Sequence, residues 1–149
     1  MFFNIYIITL SITLGSILTL GIFVAPVIFN ATDYIAMEIS RIDSGTLMSE
    51  IFIKFNYLLI INAILSLIYE MRVREKINVI ISIAIAFLSF AFAFIFTPYI
   101  VDSAKSNRIS DDFEIYHKLS EWDFKIVAIL LFVLIFRNLR EKIDKNQKS

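Results

Sequence analysis

Apolar side chains run almost unbroken from Phe2 to Ala31, and the first charge in the chain is Asp33. A helix needs roughly 20 mostly apolar residues to cross bilayer hydrocarbon at about 1.5 Å per residue. The run therefore predicts a spanning helix over 3–29, with length to spare for tilt and with Pro26 as a source of a kink. A second run, broken near its head by Lys54, predicts a span over 51–70, and a third over 77–101 carries no charge at all. The fourth, over 119–138, is apolar chiefly from Val127 to Phe136, so its remaining length comes from Leu119 to Trp122, just before Asp123 and Lys125. Lys54 and Lys125 would snorkel toward headgroups, with Trp122 in the interface. The pattern predicts an all-α fold, a polytopic membrane four-helix bundle, as one domain over 1–149 with a basic tail over 139–149. Three spans plus a surface helix is the alternative. A cleaved signal peptide fits poorly, because the first run is too long and no Lys or Arg precedes it.

Composition strengthens this reading. Hydrophobic residues make up 58% of the chain and charged ones 19%, with a mean hydropathy of +0.77. Soluble domains hold about 45–50% apolar and about 25% charged residues, and a fold this small cannot hide the excess. A water-soluble enzyme, a basic nucleic-acid binder and a disordered tail are thereby excluded. The absence of cysteine removes disulfides, thiolate metal sites and cysteine nucleophiles. The lipid bilayer is the expected partner.

The formal charge is zero, but its signs are unevenly placed. With four spans, 70–76 and 137–149 share one side and carry eight Lys or Arg within 20 residues, against four acids. The other side, 30–54 plus 102–125, spreads six Lys or Arg over 49 residues, against ten acids. Cytoplasmic loops concentrate Lys and Arg, so both termini are expected in the cytoplasm of a bacterial cell, with the chain in its inner membrane. The basic tail would be drawn to anionic headgroups.

Helices in lipid associate through close packing at small residues and through shared hydrogen bonds. Ser11, Gly15 and Thr19 form one such stripe, continued by Pro26, and Ser82, Ala86, Ser89, Ala93 and Thr97 form another. Both are expected to face protein. Asn62 and Ser66 are the deepest polar groups of the second span, and Asn62 needs a partner from another helix because an unpaired amide is costly in hydrocarbon. No ionisable side chain falls at the centre of a span, which argues against a proton relay or a charge-coupled carrier.

Gly21-Ile-Phe-Val-Ala-Pro26-Val-Ile-Phe29, then Gly45 seven before Phe52, then Tyr57, resembles the opening of the transmembrane protein 205-like family. Thr97-Pro98 and His117-Lys-Leu-Ser120 extend the resemblance to all four spans. Two positions depart from the family pattern: Trp122, Asp123 and Phe124 stand where the family carries an Asn in its last helix, and Asn56 replaces an aromatic beside Tyr57. Bacterial members are generally catalogued as a domain of unknown function. The resemblance implies a small four-helix membrane protein, and a eukaryotic relative is linked to tolerance of platinum drugs. A more distant similarity to copper-resistance membrane proteins of the same build suggests metal or porphyrin handling.

Glu114, His117 and Glu121 fall at i, i+3 and i+7 on one helical face, and imidazole with carboxylates can hold a borderline cation. The plainer alternative is a solvated helix start, capped by Ser110 or Asp111 with acids at the positive end of the dipole. Met1, Met37, Met48 and Met71 are too scattered for thioether copper ligation, and no histidine lies in a span to ligate haem. No cofactor is expected.

Pro26, Tyr57, Thr97, Pro98 and Ser120 gather near the outer span ends as an outer vestibule, whose plainer alternative is a belt of interface anchors and helix ends. No nucleophile, phosphate loop or acid–base pair supports an enzyme. Two functions stay open: transport or tolerance of a small solute or metal compound, and a non-catalytic membrane scaffold or assembly partner. A transporter of 17.3 kDa without a charged pathway is expected to form a homo-oligomer.

Overall fold

A computed structural model describes residues 2–35, 38–105 and 111–147. The chain forms α1 (Phe2–Thr19), a π turn (Leu20–Val24), α2 (Ala25–Phe29), a 3-10 turn (Ala31–Asp33), α3 (Arg41–Val73), α4 (Lys76–Ala91), a second π turn (Phe92–Phe96), α5 (Thr97–Lys105) and α6 (Asp111–Gln147). The two π turns join their neighbours into continuous rods, so among the described residues the architecture is four antiparallel helical rods and the fold is all-α.

Each π turn ends two residues before a proline, at Pro26 and at Pro98. Proline has no N–H and its ring crowds the carbonyl four residues back. Widening the preceding turn relieves both problems: Ala25 bonds to the Leu20 carbonyl and Thr97 to the Phe92 carbonyl, five residues back in each case. The expected kink at Pro26 is thus resolved as a local change of winding.

Among the described residues three rods are long and apolar enough to cross a membrane: Phe2–Phe29, Asp43–Val73 and Lys76–Ser103. Helix α3 starts ten residues before the expected span over 51–70, because Ser40 and Asp43 form a capping box. Arg74 stops it in the left-handed region, at φ 61°, with its N–H on the Glu70 carbonyl. Helix α6 is longer still, at 37 residues. Ser110, offered above as its N-cap, lies outside the described residues, as do Met1 and Met37.

The rods close a ring in chain order, α1 on α3, α3 on α4, α4 on α6 and α6 on α1. Leu10, Leu59, Ile85, Leu131 and Leu134 are fully or almost fully buried at its centre. Phe52, Phe55, Phe92 and Phe124 pack edge-on or tilted at one level, with centroids 5.2–5.8 Å apart. Ile8, Ile22, Phe87, Phe94, Ile129 and Phe132 all point outward. An apolar exterior around a core rich in buried hydroxyls and amides suits lipid rather than water.

The two small-residue stripes behave differently. Ser82, Ala86, Ser89, Ala93 and Thr97 are all buried. Ser11, Gly15, Thr19 and Pro26 instead face outward, and a Cβ added at Gly15 would meet nothing within 4 Å. The inner face of α1 is Tyr6, Leu10, Thr13 and Ile17. The Tyr6 hydroxyl explains the choice, since it bonds to groups deep between the other helices and sets the rotation of the rod.

Candidate functional site

The positions that turn α3 and α4 toward each other carry polar groups over most of their length. On α3 these are Glu70, Ser66, Asn62 and Asn56, and on the facing rod Asn78, Ser82, Ser89 and Thr97, all buried. The hydroxyls of Ser66 and Ser82 meet at 2.8 Å and set the antiparallel register. From Asn78 to Thr97 the seam spans about 28 Å at about 1.5 Å per residue, close to the hydrocarbon thickness.

At one end all four rods converge on Glu70, whose side chain is fully buried. Its Oε1 accepts from the Tyr6 hydroxyl at 2.8 Å and from Asn138 Nδ2 at 2.7 Å. Tyr6 also lies 3.3 Å from the Ser66 hydroxyl and stacks on Tyr69 at 4.0 Å. The row Glu70, Tyr6, Ser66, Ser82 is thus a continuous chain of hydrogen bonds into the bundle. Beside it, Arg137 Nε donates to Asn78 Oδ1 at 2.7 Å and Asn78 Nδ2 donates to Glu141 Oε1 at 3.1 Å. The Arg137 guanidinium lies 3.7 Å from both Glu75 and Glu141.

Glu70 corrects the sequence reading, which counted it among the charges of a connection between spans. Helix α3 continues to Val73, so Glu70 sits in its last turns and faces inward. The hint in the sequence was its spacing of four and eight from Ser66 and Asn62, which places the three on one face.

Farther along the seam the groups lose their partners. Among the described residues, both side-chain polar atoms of Asn62 lack a hydrogen-bond partner, as do Ser89 Oγ, Asn56 Oδ1 and Thr97 Oγ1. The expected interhelical bond of Asn62 is therefore not formed: with Ser66 level with Ser82, the antiparallel register brings Ala86, a methyl group, level with Asn62. Glu70 Oε2 and Asp123 Oδ2 are likewise buried without a partner. Buried polar groups without protein partners are rare and mark sites where water or a ligand is held.

The residues read as an outer vestibule separate into two groups. Tyr57, Thr97 and Pro98 line one cavity of about 320 Å³, together with Asn56 and Ala93. Pro26 and Ser120 are not among its lining residues; the Pro26 carbonyl accepts from Asn30, and the Ser120 hydroxyl donates to the His117 carbonyl at 2.7 Å.

The three residues at i, i+3 and i+7 do not converge. His117 Nε2 lies 3.3 Å from Glu121, while Glu114 turns to Lys118 at 3.0 Å. That hydrogen bond and the ammonium charge hold the exposed Glu114 carboxyl below the usual glutamate range. Among the described residues no group of three His, Cys, Asp or Glu is placed to hold a metal ion.

The model of a domain of unknown function, DUF4149, matches residues 8–108. The chain belongs to this family. The match covers the first rod from Ile8 onward and the whole α3–α4 seam; it leaves out Tyr6 and stops before α6, which supplies Arg137, Asn138 and Glu141 to the Glu70 end. No curated protein and no solved structure matches the chain.

Proposed function

We propose that this chain is a non-enzymatic, multi-pass protein of the bacterial inner membrane that passes a small polar solute or metal compound along the α3–α4 seam. The observation that carries the reading is a membrane-long row of buried polar groups, closed at one end by Glu70 and unpartnered through its middle. Such groups are expensive in hydrocarbon and are kept where a polar species travels or is held. The transmembrane protein 205-like resemblance and the more distant copper-resistance similarity point to the same role, tolerance of a toxic compound.

In this reading α6 is the fourth span, with both termini in the cytoplasm. Its outward face over Ile126, Ile129, Phe132 and Phe136 is as apolar as the faces of the other rods. The dense Lys and Arg of 70–76 and 137–149 favour that orientation.

The test is growth of a deletion strain carrying the wild-type chain, Asn62→Leu, Glu70→Gln or His117→Ala across graded copper salts and platinum complexes. Deletion is expected to change tolerance, Asn62→Leu and Glu70→Gln to resemble the deletion, and His117→Ala to resemble wild type. Unchanged tolerance in the deletion removes the reading. A second reading, a scaffold or homo-oligomeric assembly partner, is favoured by the outward Ser11, Gly15 and Thr19 stripe of α1, which lets another helix approach closely.

A further inference from the structure

The cavity at the Thr97 end of the seam opens through the side of the bundle between α3 and the second π turn with α5. We propose that it binds a neutral, membrane-dissolved amphiphile with a single hydroxyl head, its head at Asn56 and Thr97 and its chain along the apolar wall. The inference does not rest on solute passage along the seam.

Two polar side chains on the cavity wall call for a ligand head. Asn56 and Thr97 are 8% and 5% exposed, and Asn56 Oδ1 and Thr97 Oγ1 have no hydrogen-bond partner. Elsewhere on the helices Thr9, Thr13 and Ser49 each donate a hydroxyl to the carbonyl four residues back, at 2.8–2.9 Å, whereas the buried Ser89 of α4 does not. Thr97 makes no such bond. It follows directly on the π turn, where its own N–H reaches five residues back to the Phe92 carbonyl, and that rewinding shifts the carbonyl a helical threonine would use. The device that accommodates Pro98 thus leaves a hydroxyl free on the cavity wall. A ligand hydroxyl, donor and acceptor at once, satisfies both the amide oxygen and Thr97.

The wall also selects against charge. Among the described residues none that lines it is acidic or basic, so a carboxylate, phosphate or ammonium head would be desolvated without a counter-charge. Ile53, Ile60 and Val101 supply an apolar surface for a chain, and the outward Tyr57 and Phe94 stand at the opening. A volume of about 320 Å³ is near the low end for small-molecule sites and suits one chain rather than a two-tailed lipid.

The experiment is photolabelling of the full chain in phosphatidylethanolamine–phosphatidylglycerol vesicles with hexadecanol carrying a mid-chain diazirine, followed by peptide mapping. Labelling is expected on 53–60 and 93–101, displaced by hexadecanol but not by hexadecane or palmitate. Thr97→Val, close in shape to the native residue, and Asn56→Leu should each lower it about two- to tenfold. Labelling spread evenly over all rods, equal displacement by hexadecane, or unchanged labelling in a folded Thr97→Val chain overturns the proposal. Altered metal tolerance with even labelling separates its failure from failure of the solute-passage reading.

Discussion

At the scale of single residues, Glu70 concentrates more consequences than any other side chain. Its Oε1 is the acceptor for both Tyr6 and Asn138. Glutamine keeps an acceptor oxygen there, whereas leucine leaves both donors buried and unpaired. Glu70→Leu is therefore expected to cost about 1–3 kcal/mol for each orphaned donor, and Tyr6→Phe about 1 kcal/mol, with Glu70→Gln nearest to wild type. Unfolding in detergent measures the order; a Glu70→Leu protein as stable as wild type would show that the cluster contributes nothing to the fold. The identity of these residues as polar and intramembrane was legible for Ser66 and Asn62 from their spacing within an apolar run. The inward aim of Glu70 was hidden because Arg72, Arg74, Glu75 and Lys76 follow it closely, so it reads as one more charge of a hydrophilic turn. The partnerless state of Asn62 was hidden too, since the residue level with it belongs to another helix.

At the scale of elements, helix ends and windings follow local chemistry. The capping box of Ser40 and Asp43 lengthens α3 far beyond its apolar stretch. Its far end strains Arg74 into the left-handed region at φ 61°. Glycine adopts that conformation without a Cβ penalty, so Arg74→Gly should stabilise the chain by about 1 kcal/mol, after allowance for the greater freedom of the unfolded chain. Denaturation of the two proteins side by side checks this, and a loss of stability would mean that the Arg74 side chain outweighs the backbone strain. The runs of apolar residues announced where rods exist, but their length in the sequence marked only the part suited to lipid. Rod boundaries depended on capping side chains outside those runs, and π winding depended on prolines whose effect falls several residues upstream.

At the scale of the whole molecule, the apolar exterior and the charge bias yield an arrangement that can be tested by position. The chain has no cysteine, so single introduced cysteines report unambiguously. If α6 crosses the bilayer, Glu114→Cys reacts with a membrane-impermeant maleimide added to intact spheroplasts, and Lys145→Cys reacts only after the membrane is opened. Labelling of both from the same side would make α6 a surface helix packed on a three-span bundle. The ring α1–α3–α4–α6 favours crossing, because α6 supplies Val127, Leu131 and Leu134 to the same core as the other rods.

The amino-acid sequence by itself determined the helical class, the three long apolar rods and the buried small-residue face of α4, because hydropathy and period act locally along one chain. Only the tertiary structure decided which side of α1 turns inward, which polar groups find partners, and that Glu70 belongs to the interior. Those outcomes depend on the rotation and register of one rod against another, set by contacts such as Ser66 with Ser82 and Tyr6 with Glu70 between residues far apart in the chain.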